Sequence, residues 1–580
     1  MNNLHSNFDD NMLRNANDVM DPHRLGAMHQ TRISFVRSLL RKIATQKWKL
    51  SKKDWSLCER GFGRVIYRLK TPTSVYHLVI FCDEIDEQDR NDRVIAEKWD
   101  VTFALIRGVV HEHTLKQLKE SIPLQEAGRS TNNVLVLSRA NKSVRIFDLL
   151  VNKLANGIQP DSNELAEVGY ILRTTAVYGN GKFGIADFKL LENNPDFNQS
   201  FSAQMCAVYI LRQFSLDWIH HIAEKQGEEK FSRLRPCLQR YLGVGNATGL
   251  GMAPYLIMHP CIVDQWMTTR ERAFSAVLKM PCSETKIDDL CQLLIKAGKH
   301  LTQTITIDER QNVINRKAAS EVRNLVSELK TQNLDGLNWS YILLQTSKAS
   351  LDTQEILLSC LTELYPSIVD QFENEMNTDE SLSIPVAKSV QDTILLLEST
   401  YTWAISDDYS LPENNHWFWY RSQDKEEPRL GVRGEEPGEE YELPLDIGRQ
   451  ANFFYKELLE YDRTTPLTSF LVSHPEYRYI ARRVWTLGNR AMGEIQMNVL
   501  HKDFLPIHLL RCKLANFGAT KFDPRSDRWV RVTFFQGAPL MDDLLCDNYK
   551  ESWIFPTIPE CNKCSLKTNY CIDDITRGKE

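Results

Sequence analysis

Residues 64–81, RVIYRLKTPTSVYHLVIF, contain two runs rich in valine, isoleucine and tyrosine, separated by the turn-forming residues TPTS. Short runs of this composition on either side of a turn are typical of paired strands. The segment therefore predicts a β-hairpin. Two more strands are predicted downstream, VTFALIR at 101–107 and VLVL at 134–137, with a helix near 90–100 between the hairpin and the first of them. The first quarter of the chain is accordingly predicted to be mixed α/β.

Beyond Pro160 the apolar residues follow the helical period rather than the period of a strand. Helices are predicted at 201–224, 230–242, 255–280, 285–303, 309–330, 350–375, 448–460 and 476–500, and strands around 528–535. The predicted fold class is α+β and predominantly α-helical. A small mixed N-terminal domain is followed by a large helical domain and a C-terminal α+β segment.

Composition shifts suggest five segments along the chain. They are a flexible N-terminal arm at 1–30, a mixed α/β domain at 31–158, a helical domain with glycine-rich loops at 159–420, an acidic Pro/Gly connector or lid at 421–447, and a helical and stranded segment with a cysteine-rich tail at 448–580. Within the second segment, residues 32–53 hold eight basic residues and no acid. We interpret this stretch as a docking helix with a solvated basic side, the alternative being a surface for phosphate or membrane.

The overall composition is that of an ordinary soluble chain of several domains. Of the 580 residues 42% are hydrophobic and 25% charged, which excludes general disorder. The formal charge of -6 argues against a dedicated nucleic-acid binder. No secretory signal is recognised, and the uncharged run 241–263 contains glycines, prolines and His259 that do not suit a membrane span. Scattered cysteines indicate a reducing compartment, so we expect a cytoplasmic protein without a transmembrane segment.

The turn SRANKS, residues 138–143, is predicted to join a strand to a helix and to bind an anion. Arg139, Lys142 and Arg145 surround the predicted helix start, with Asn141 or Ser143 as its cap. Amides at the start of a helix carry partial positive charge, so dipole and side chains would act together on an anion. The alternative is an ordinary capped helix whose basic groups face water.

Two glycine-rich segments are predicted to line a ligand cleft. YGNGKFGIADF at 178–188 places Asn180 and Lys182 in a tight turn, although Phe183 stands where a phosphate loop has Ser or Thr. GVGNATGLGMAP at 243–254 is predicted to end one helix and open the next, with Asn246 and Thr248 facing the cleft. A plain hairpin and a close crossing of two helices are the structural alternatives.

A third polar segment, GNRAMGEIQMNVLH at 488–501, is predicted to be a helix that contributes Asn489 and Arg490 to the same cleft. Arg490 and Glu494 are four residues apart and could pair on that helix. The possible proton-transfer groups are Asp187, His259 and Glu494, but no spacing assigns them roles. A lone histidine such as His259 is more often a satisfied core residue.

The last 35 residues hold four of the thirteen cysteines, Cys546, Cys561, Cys564 and Cys571. Four thiolates can bind a tetrahedral zinc ion or an iron–sulfur cluster. Only one CxxC pair occurs, so unliganded thiols remain the alternative.

These features favour an enzyme of unassigned reaction that acts on an anionic small molecule or a phosphate-bearing cofactor. Two other classes stay open, a non-catalytic helical scaffold or regulatory protein and a nucleic-acid-processing factor with a C-terminal metal site. No zinc-protease HExxH and no nucleophile-elbow GxSxG sequence is present.

Overall fold

The computed structural model describes residues 13–86, 98–121, 133–176, 191, 193–249, 259–332, 337–411, 418–422, 428–431, 442–444, 447–496, 506–526, 529–546 and 553–559. It confirms an α+β fold with a helical majority, organised around a nine-stranded mixed sheet. The domain boundaries stay a prediction.

The large sheet draws its strands from distant parts of the chain. They are β1 Lys49–Leu57, β2 Gly63–Lys70, β3 Val75–Cys82, β4 Val101–Arg107, β5 Val134–Lys142, β6 Tyr170–Thr174, β7 Gly243–Gly249, β11 Lys521–Ser526 and β12 Trp529–Phe534. The spatial order is β1-β2-β3-β4-β5-β6-β7-β12-β11. All neighbours are antiparallel except β6 and β7, which are parallel.

The predicted hairpin is confirmed, with Lys70 opposite Val75 at its turn. Thr71 holds that turn, because its hydroxyl donates to the carbonyl of Ser74 and accepts the Ser74 amide. The strands predicted at 101–107 and around 528–535 are also confirmed, and the strand predicted at 134–137 extends to Lys142.

The helices lie on and beyond the sheet. They are α1 Ala16–Val19, α2 Pro22–Ala27, α3 Phe35–Thr45, α4 Glu112–Ser121, α5 Phe147–Ala155, α6 Ser162–Val168, α7 Ser202–Gly227, α8 Pro236–Tyr241, α9 Pro260–Leu278, α10 Glu284–Gln303, α11 Glu309–Thr331, α12 Trp339–Gln345, α13 Leu351–Leu364, α14 Pro366–Val369, α15 Val390–Thr400, α16 Thr402–Ile405, α17 Ile447–Leu459, α18 Leu467–Ser473, α19 Arg478–Leu487, α20 Leu510–Phe517 and α21 Met541–Leu544. Side-chain caps start several of them, such as Asp308 accepting from the amides of Arg310 and Gln311.

Helix α7 forms the centre of the main hydrophobic core. It packs on β4 to β7 and on α3 and α5, and Trp218 within it is fully buried. Its indole ring lies 4.9 Å from the ring of Phe147 and donates to the carbonyl of Gly61 at 2.8 Å. This helix covers one face of the sheet along much of its width.

The N-terminal segment from Leu13 onward is packed rather than loosely held. Val19, Met20 and Leu25 are fully buried. The basic helix α3 docks as predicted, and of the basic groups at 32–53 the three arginines are buried. The lysines at 47, 49, 52 and 53 are exposed, as predicted for a solvated side. Arg32 donates to Asp370 at 2.5 and 2.7 Å, and Arg37 to Glu363 at 2.7 Å. For these arginines, ion pairing with acids of the helical part replaces the expected exposure.

Three predicted local structures are wrong. Residues 138–142 continue strand β5, and helix α5 begins at Phe147 without a side-chain cap from Asn141 or Ser143. Residues 243–249 form strand β7, not a loop between helices. In the 488–501 segment the helix α19 ends at Leu487, and no helix is assigned over 488–496. In the first two cases pairing with neighbouring strands from other parts of the chain overrides the local pattern.

The acidic segment 421–447 overlaps a small antiparallel sheet instead of being a loop throughout. Its strands are β8 Phe418–Ser422, β9 Pro428–Gly431 and β10 Glu442–Pro444, in the order β10-β8-β9. In the part of the chain that the structure describes, no helix has the length and apolar character needed to cross a bilayer.

Candidate functional site

One face of the large sheet carries polar residues in two neighbouring rows. Asp523 lies opposite Arg531, which lies opposite Ala247. In the next row the paired positions run from Lys521 through Thr533, Gly245 and Arg173 to Asn141. Because directly paired residues share a face, these side chains lie on the same side of the sheet. We call this surface the polar face; Arg139, two residues from Asn141 on β5, belongs to it as well.

The opposite side of the same strands is the core face. Lys142 follows Asn141 and so points to this other side, where its ammonium lies 4.7 Å from the ring of Trp218 and 4.6 Å from that of Phe147. Val244 and Val532 are fully or almost fully buried there. Helix α7 therefore covers the core face and not the polar face.

The polar face is buried although it is charged. Arg139, Arg173 and Lys521 are each 8% exposed and Asp523 is 2% exposed. Burial lowers the pKa of Arg139 to about 10, so its guanidinium remains charged at neutral pH. The two rows and Arg139 together contain four cations, the fourth being Arg531, and a single carboxylate. Cations gathered on one face in this way create a positive potential that attracts anions.

Three arginines from separate parts of the chain line one small cavity beside the polar face. Arg145 follows β5, Arg173 lies on β6 and Arg531 on β12. The cavity measures about 240 Å³ including its open mouth, and its other lining residues are Lys142, Ser143, Val144, Val168 and Tyr170. No acidic residue is among these lining residues. We call it the arginine cavity.

Gly245 allows the aromatic wall of the arginine cavity to lie flat against the sheet. A Cβ at this position would come within 2.6 Å of the ring of Tyr170 on the neighbouring strand. Every residue except glycine would therefore push Tyr170 away from β7. This glycine of the segment predicted to be a loop between helices is thus required by packing between two strands.

Helix α6 forms one side of the site and is held by a buried lysine. The Lys521 ammonium donates to the carbonyls of Ala166 at 3.1 Å and Glu167 at 3.4 Å, at the end of the helix where the dipole is negative. Burial lowers the pKa of Lys521, against the raising effect of Asp523. The Glu167 carboxylate reaches back to Arg145 at 2.8 Å. One of the three cavity arginines therefore has an exposed counter-charge.

Asp523 is the carboxylate of the polar face. One of its oxygens pairs with Arg525 at 2.7 Å, and the other has no hydrogen-bond partner among the described residues. Burial raises the pKa of Asp523, opposed by Lys521, Arg525, Arg531 and Arg145. The field of four cations thus converges on one carboxylate.

Of the predicted ligand-binding residues, the structure brings Arg139 and Asn141 together on the polar face. Asn141 has a structural role there, since its Oδ1 accepts the amide of Asp100 at 3.0 Å. Lys142 and Asn246 differ from the prediction: the Lys142 ammonium lies over the rings on the core face, and Asn246 donates to the carbonyl of Thr174 at 2.8 Å. Thr248 lies in β7. Asn180, Lys182 and Asp187 lie outside the described residues.

The predicted residues of the 488–501 segment lie around a second buried charge site. Glu494 accepts from Arg483 at 2.6 and 2.8 Å instead of pairing with Arg490. Arg490 lies 3.4 Å from Asp264, whose other oxygen accepts the amides of Met492 and Gly493. Burial raises the pKa of Asp264 to about 6 against these contacts. Glu494 and Arg483 thus form a fully buried ion pair.

The remaining predicted site residues are dispersed. His259 precedes helix α9 with its ring edge-on to Phe201 at 6.1 Å, and Asn489 is exposed and donates to the carbonyl of Trp485. The Cys546 thiol donates to the carbonyl of Asp542 at 3.4 Å. Cys561, Cys564 and Cys571 lie outside the described residues, so the metal site stays a prediction. Within the described ranges no group of three metal-binding side chains is found.

Sequence reasoning missed Arg173, Arg531, Lys521 and Asp523. A signal was present for the first two: YILRT and WVRVTF each place one arginine inside an otherwise apolar or uncharged strand. A single cation in such a strand indicates that one face of the strand is polar. No family model matches this chain, and no curated protein or solved structure is similar to it.

Proposed function

We propose that the protein binds an anionic small molecule, carrying a phosphate or comparable oxyanion, in the arginine cavity. The observation that carries the proposal is that Arg145, Arg173 and Arg531 line one cavity without an acid among its lining residues. Enzymatic action of the protein on this molecule remains a prediction.

Guanidinium groups suit this ligand because their planar N–H donors match the oxygen geometry of phosphate and carboxylate. A bound oxyanion would also offset the mutual repulsion of the cations on the polar face. The two nearby carboxylates, Asp523 and Glu167, are paired with Arg525 and Arg145. The partly enclosed position strengthens the attraction relative to a fully exposed site.

The test is a calorimetric titration of the full chain with inorganic phosphate, pyrophosphate and ATP at low ionic strength. We expect Arg173→Gln and Arg531→Gln to weaken binding of the preferred anion by about tenfold each, or ~1.4 kcal/mol. Arg316→Gln is the matched control, because Arg316 is an exposed arginine on α11 whose partner is Glu309. Wild-type affinity in both cavity variants, or no anion binding by the wild-type chain, would overturn the proposal.

A further inference from the structure

A larger cavity, of about 730 Å³ including its open mouth, lies where the N-terminal segment packs on the helical part. Arg14, Val19 and Arg24 line it from the N-terminal side. Phe274 on α9, Leu343 on α12 and Leu358 on α13 line it from the helical side. It is separate from the arginine cavity in its lining residues. We call it the N-terminal cavity.

An ion network with unequal charges forms the polar wall of the N-terminal cavity. Arg14 donates to both oxygens of Glu271 at 2.7 Å, and Arg24 donates to Glu355 at 2.8 Å. Arg270 lies behind them, fully buried, and bonds to both glutamates. Three guanidinium groups thus face two carboxylates, which leaves one positive charge. Asp18 also lines the cavity but is exposed, so water screens its charge.

Both glutamates of the network act as acceptors in these ion pairs. For Glu355, burial alone would raise the pKa, yet Arg270, Arg14 and Arg24 together hold it well below its usual range. Its carboxylate is therefore ionised at neutral pH. Among the described residues the ion network itself therefore keeps three charged guanidinium groups and two carboxylates at neutral pH, since arginine does not lose its proton.

Arg14 and Arg24 retain N–H donors that the network does not use. Each guanidinium has five such donors. Among the described residues Arg14 donates three hydrogen bonds through them and Arg24 two, the second of these to Gln354. Two donors of Arg14 and three of Arg24 remain, on side chains that line the cavity. A carboxylate can accept several of them at once.

The other wall of the N-terminal cavity is apolar. Val19, Phe274 and Leu358 are almost completely buried, and Leu343 is half-buried beside them. The nearby hydroxyl groups of Thr346 and Ser347 already donate to backbone carbonyls of α12. A ligand therefore meets cationic donors next to a hydrocarbon surface, and Arg14 itself lies over the ring of Phe274 at 5.4 Å.

We infer that the N-terminal cavity binds a small monocarboxylate with an apolar body. Its carboxylate lies at Arg14 and Arg24 and supplies the missing negative charge. Its apolar body lies against Phe274, Leu343 and Leu358. A multiply charged anion such as pyrophosphate fits this site poorly, because half of the wall cannot solvate charge.

Three probes of one chain length test the inference: octanoate, octanol and octylammonium, each titrated into the full chain and followed by calorimetry. We expect octanoate to bind with a Kd at or below about 1 mM, octanol about tenfold more weakly, and octylammonium without measurable affinity. Equal binding of octanoate and octanol would overturn the role of the arginines. Absence of octanoate binding would overturn the site itself.

Substitutions in the N-terminal cavity test whether octanoate binds there. Ser347→Trp fills the mouth of the cavity from an exposed position without touching the ion network, so octanoate binding should be lost while Tm is unchanged. Ser327→Trp, at an exposed serine of α11 outside the cavity, is the matched control. Arg24→Gln should weaken octanoate binding and leave octanol binding unaltered. Ser347→Trp keeps the inference testable even where Arg24→Gln fails to fold.

The two cavities are distinguished by one more variant. Arg173→Gln alters the arginine cavity alone, so it should leave octanoate affinity at the wild-type value while weakening phosphate binding. Loss of octanoate binding in Arg173→Gln, or its retention in Ser347→Trp, would overturn the assignment to the N-terminal cavity.

Discussion

Two buried charge sites of this protein are built in opposite ways. In the helical part, Arg483 meets both oxygens of Glu494, so cation and anion are matched one to one. On the polar face of the sheet, the two rows and Arg139 hold four cations and one carboxylate, that of Asp523. A matched pair can be enclosed completely, whereas a cluster of cations attracts anions. The difference separates a charge site that holds the fold from one that is suited to a ligand.

The comparison predicts its largest effect at the matched pair. Glu494→Gln would leave the Arg483 guanidinium buried without a full counter-charge, which typically costs about 3–5 kcal/mol. We expect that loss in the free energy of unfolding measured in urea. Glu309→Gln is the control, because Glu309 pairs with Arg316 on the exposed side of α11, and this substitution should leave stability unchanged. Equal stability of the two variants would contradict the comparison.

Asp264 is a buried carboxylate with one arginine partner, Arg490, and a raised pKa. Its titration predicts that the stability of the protein depends on pH. Its folded-state pKa of about 6 exceeds the ordinary value of 3.8, so the folded chain keeps a proton that the unfolded chain has lost. Stability should therefore fall as pH rises from about 4 to about 6, by ~2–3 kcal/mol in total. Unfolding measured across this range should show a smaller slope for Asp264→Asn than for the wild-type chain. Identical slopes would mean that Asp264 does not titrate there.

At the polar face, replacing a cavity arginine should change stability little and phosphate binding strongly. Arg173 lines a cavity, so replacing its guanidinium by the amide of glutamine removes little packing. Arg173→Gln should change the free energy of unfolding by about 1 kcal/mol or less, while phosphate affinity falls. A loss as large as that of Glu494→Gln would place Arg173 with the structural charges instead.

The smallest predicted effect is at the rim of the arginine cavity. Glu167 pairs with Arg145 at an exposed position, and such pairs contribute ~0.5 kcal/mol or less. Glu167→Gln should leave stability unchanged. It should also raise anion affinity by about threefold, because the cavity loses the nearest competing carboxylate. Lower affinity in this variant would show that Glu167 positions Arg145 rather than competing with the ligand.

Much of the sheet could be predicted from the sequence, and the exceptions have physical reasons. The hairpin at 64–81 has apolar runs and a turn, so its pattern is local. Strand β1, KLSKKDWSL, lies at the sheet edge and carries lysines instead of an apolar run. Strand β7, GVGNATG, has three glycines, one of which is required by the ring of Tyr170 on a strand about 70 residues earlier. Local propensity contains no information about that contact.

The candidate site was predictable only in part for the same reason. Arg139 and Asn141 stand out because they cluster with Lys142 and Arg145 in one short segment. Arg173 and Arg531 are solitary in their strands, and only the pairing of β6 with β7 and of β7 with β12 brings them to one cavity. Each arginine does stand out as the one charged residue of its strand. That feature does not show that they belong to the same site.

The pairing of β7 with β12 also imposes an order on the biosynthesis of this protein. Val244 pairs with Phe534, a residue that leaves the ribosome 290 positions later. Until then β7 is the edge of a growing sheet, with open backbone donors and acceptors on one side. Three glycines and the amide of Asn246 leave this edge without the apolar run that promotes strand exchange between nascent chains. The weak strand-forming composition of β7 is thus suited to a strand whose partner β12 is synthesised much later.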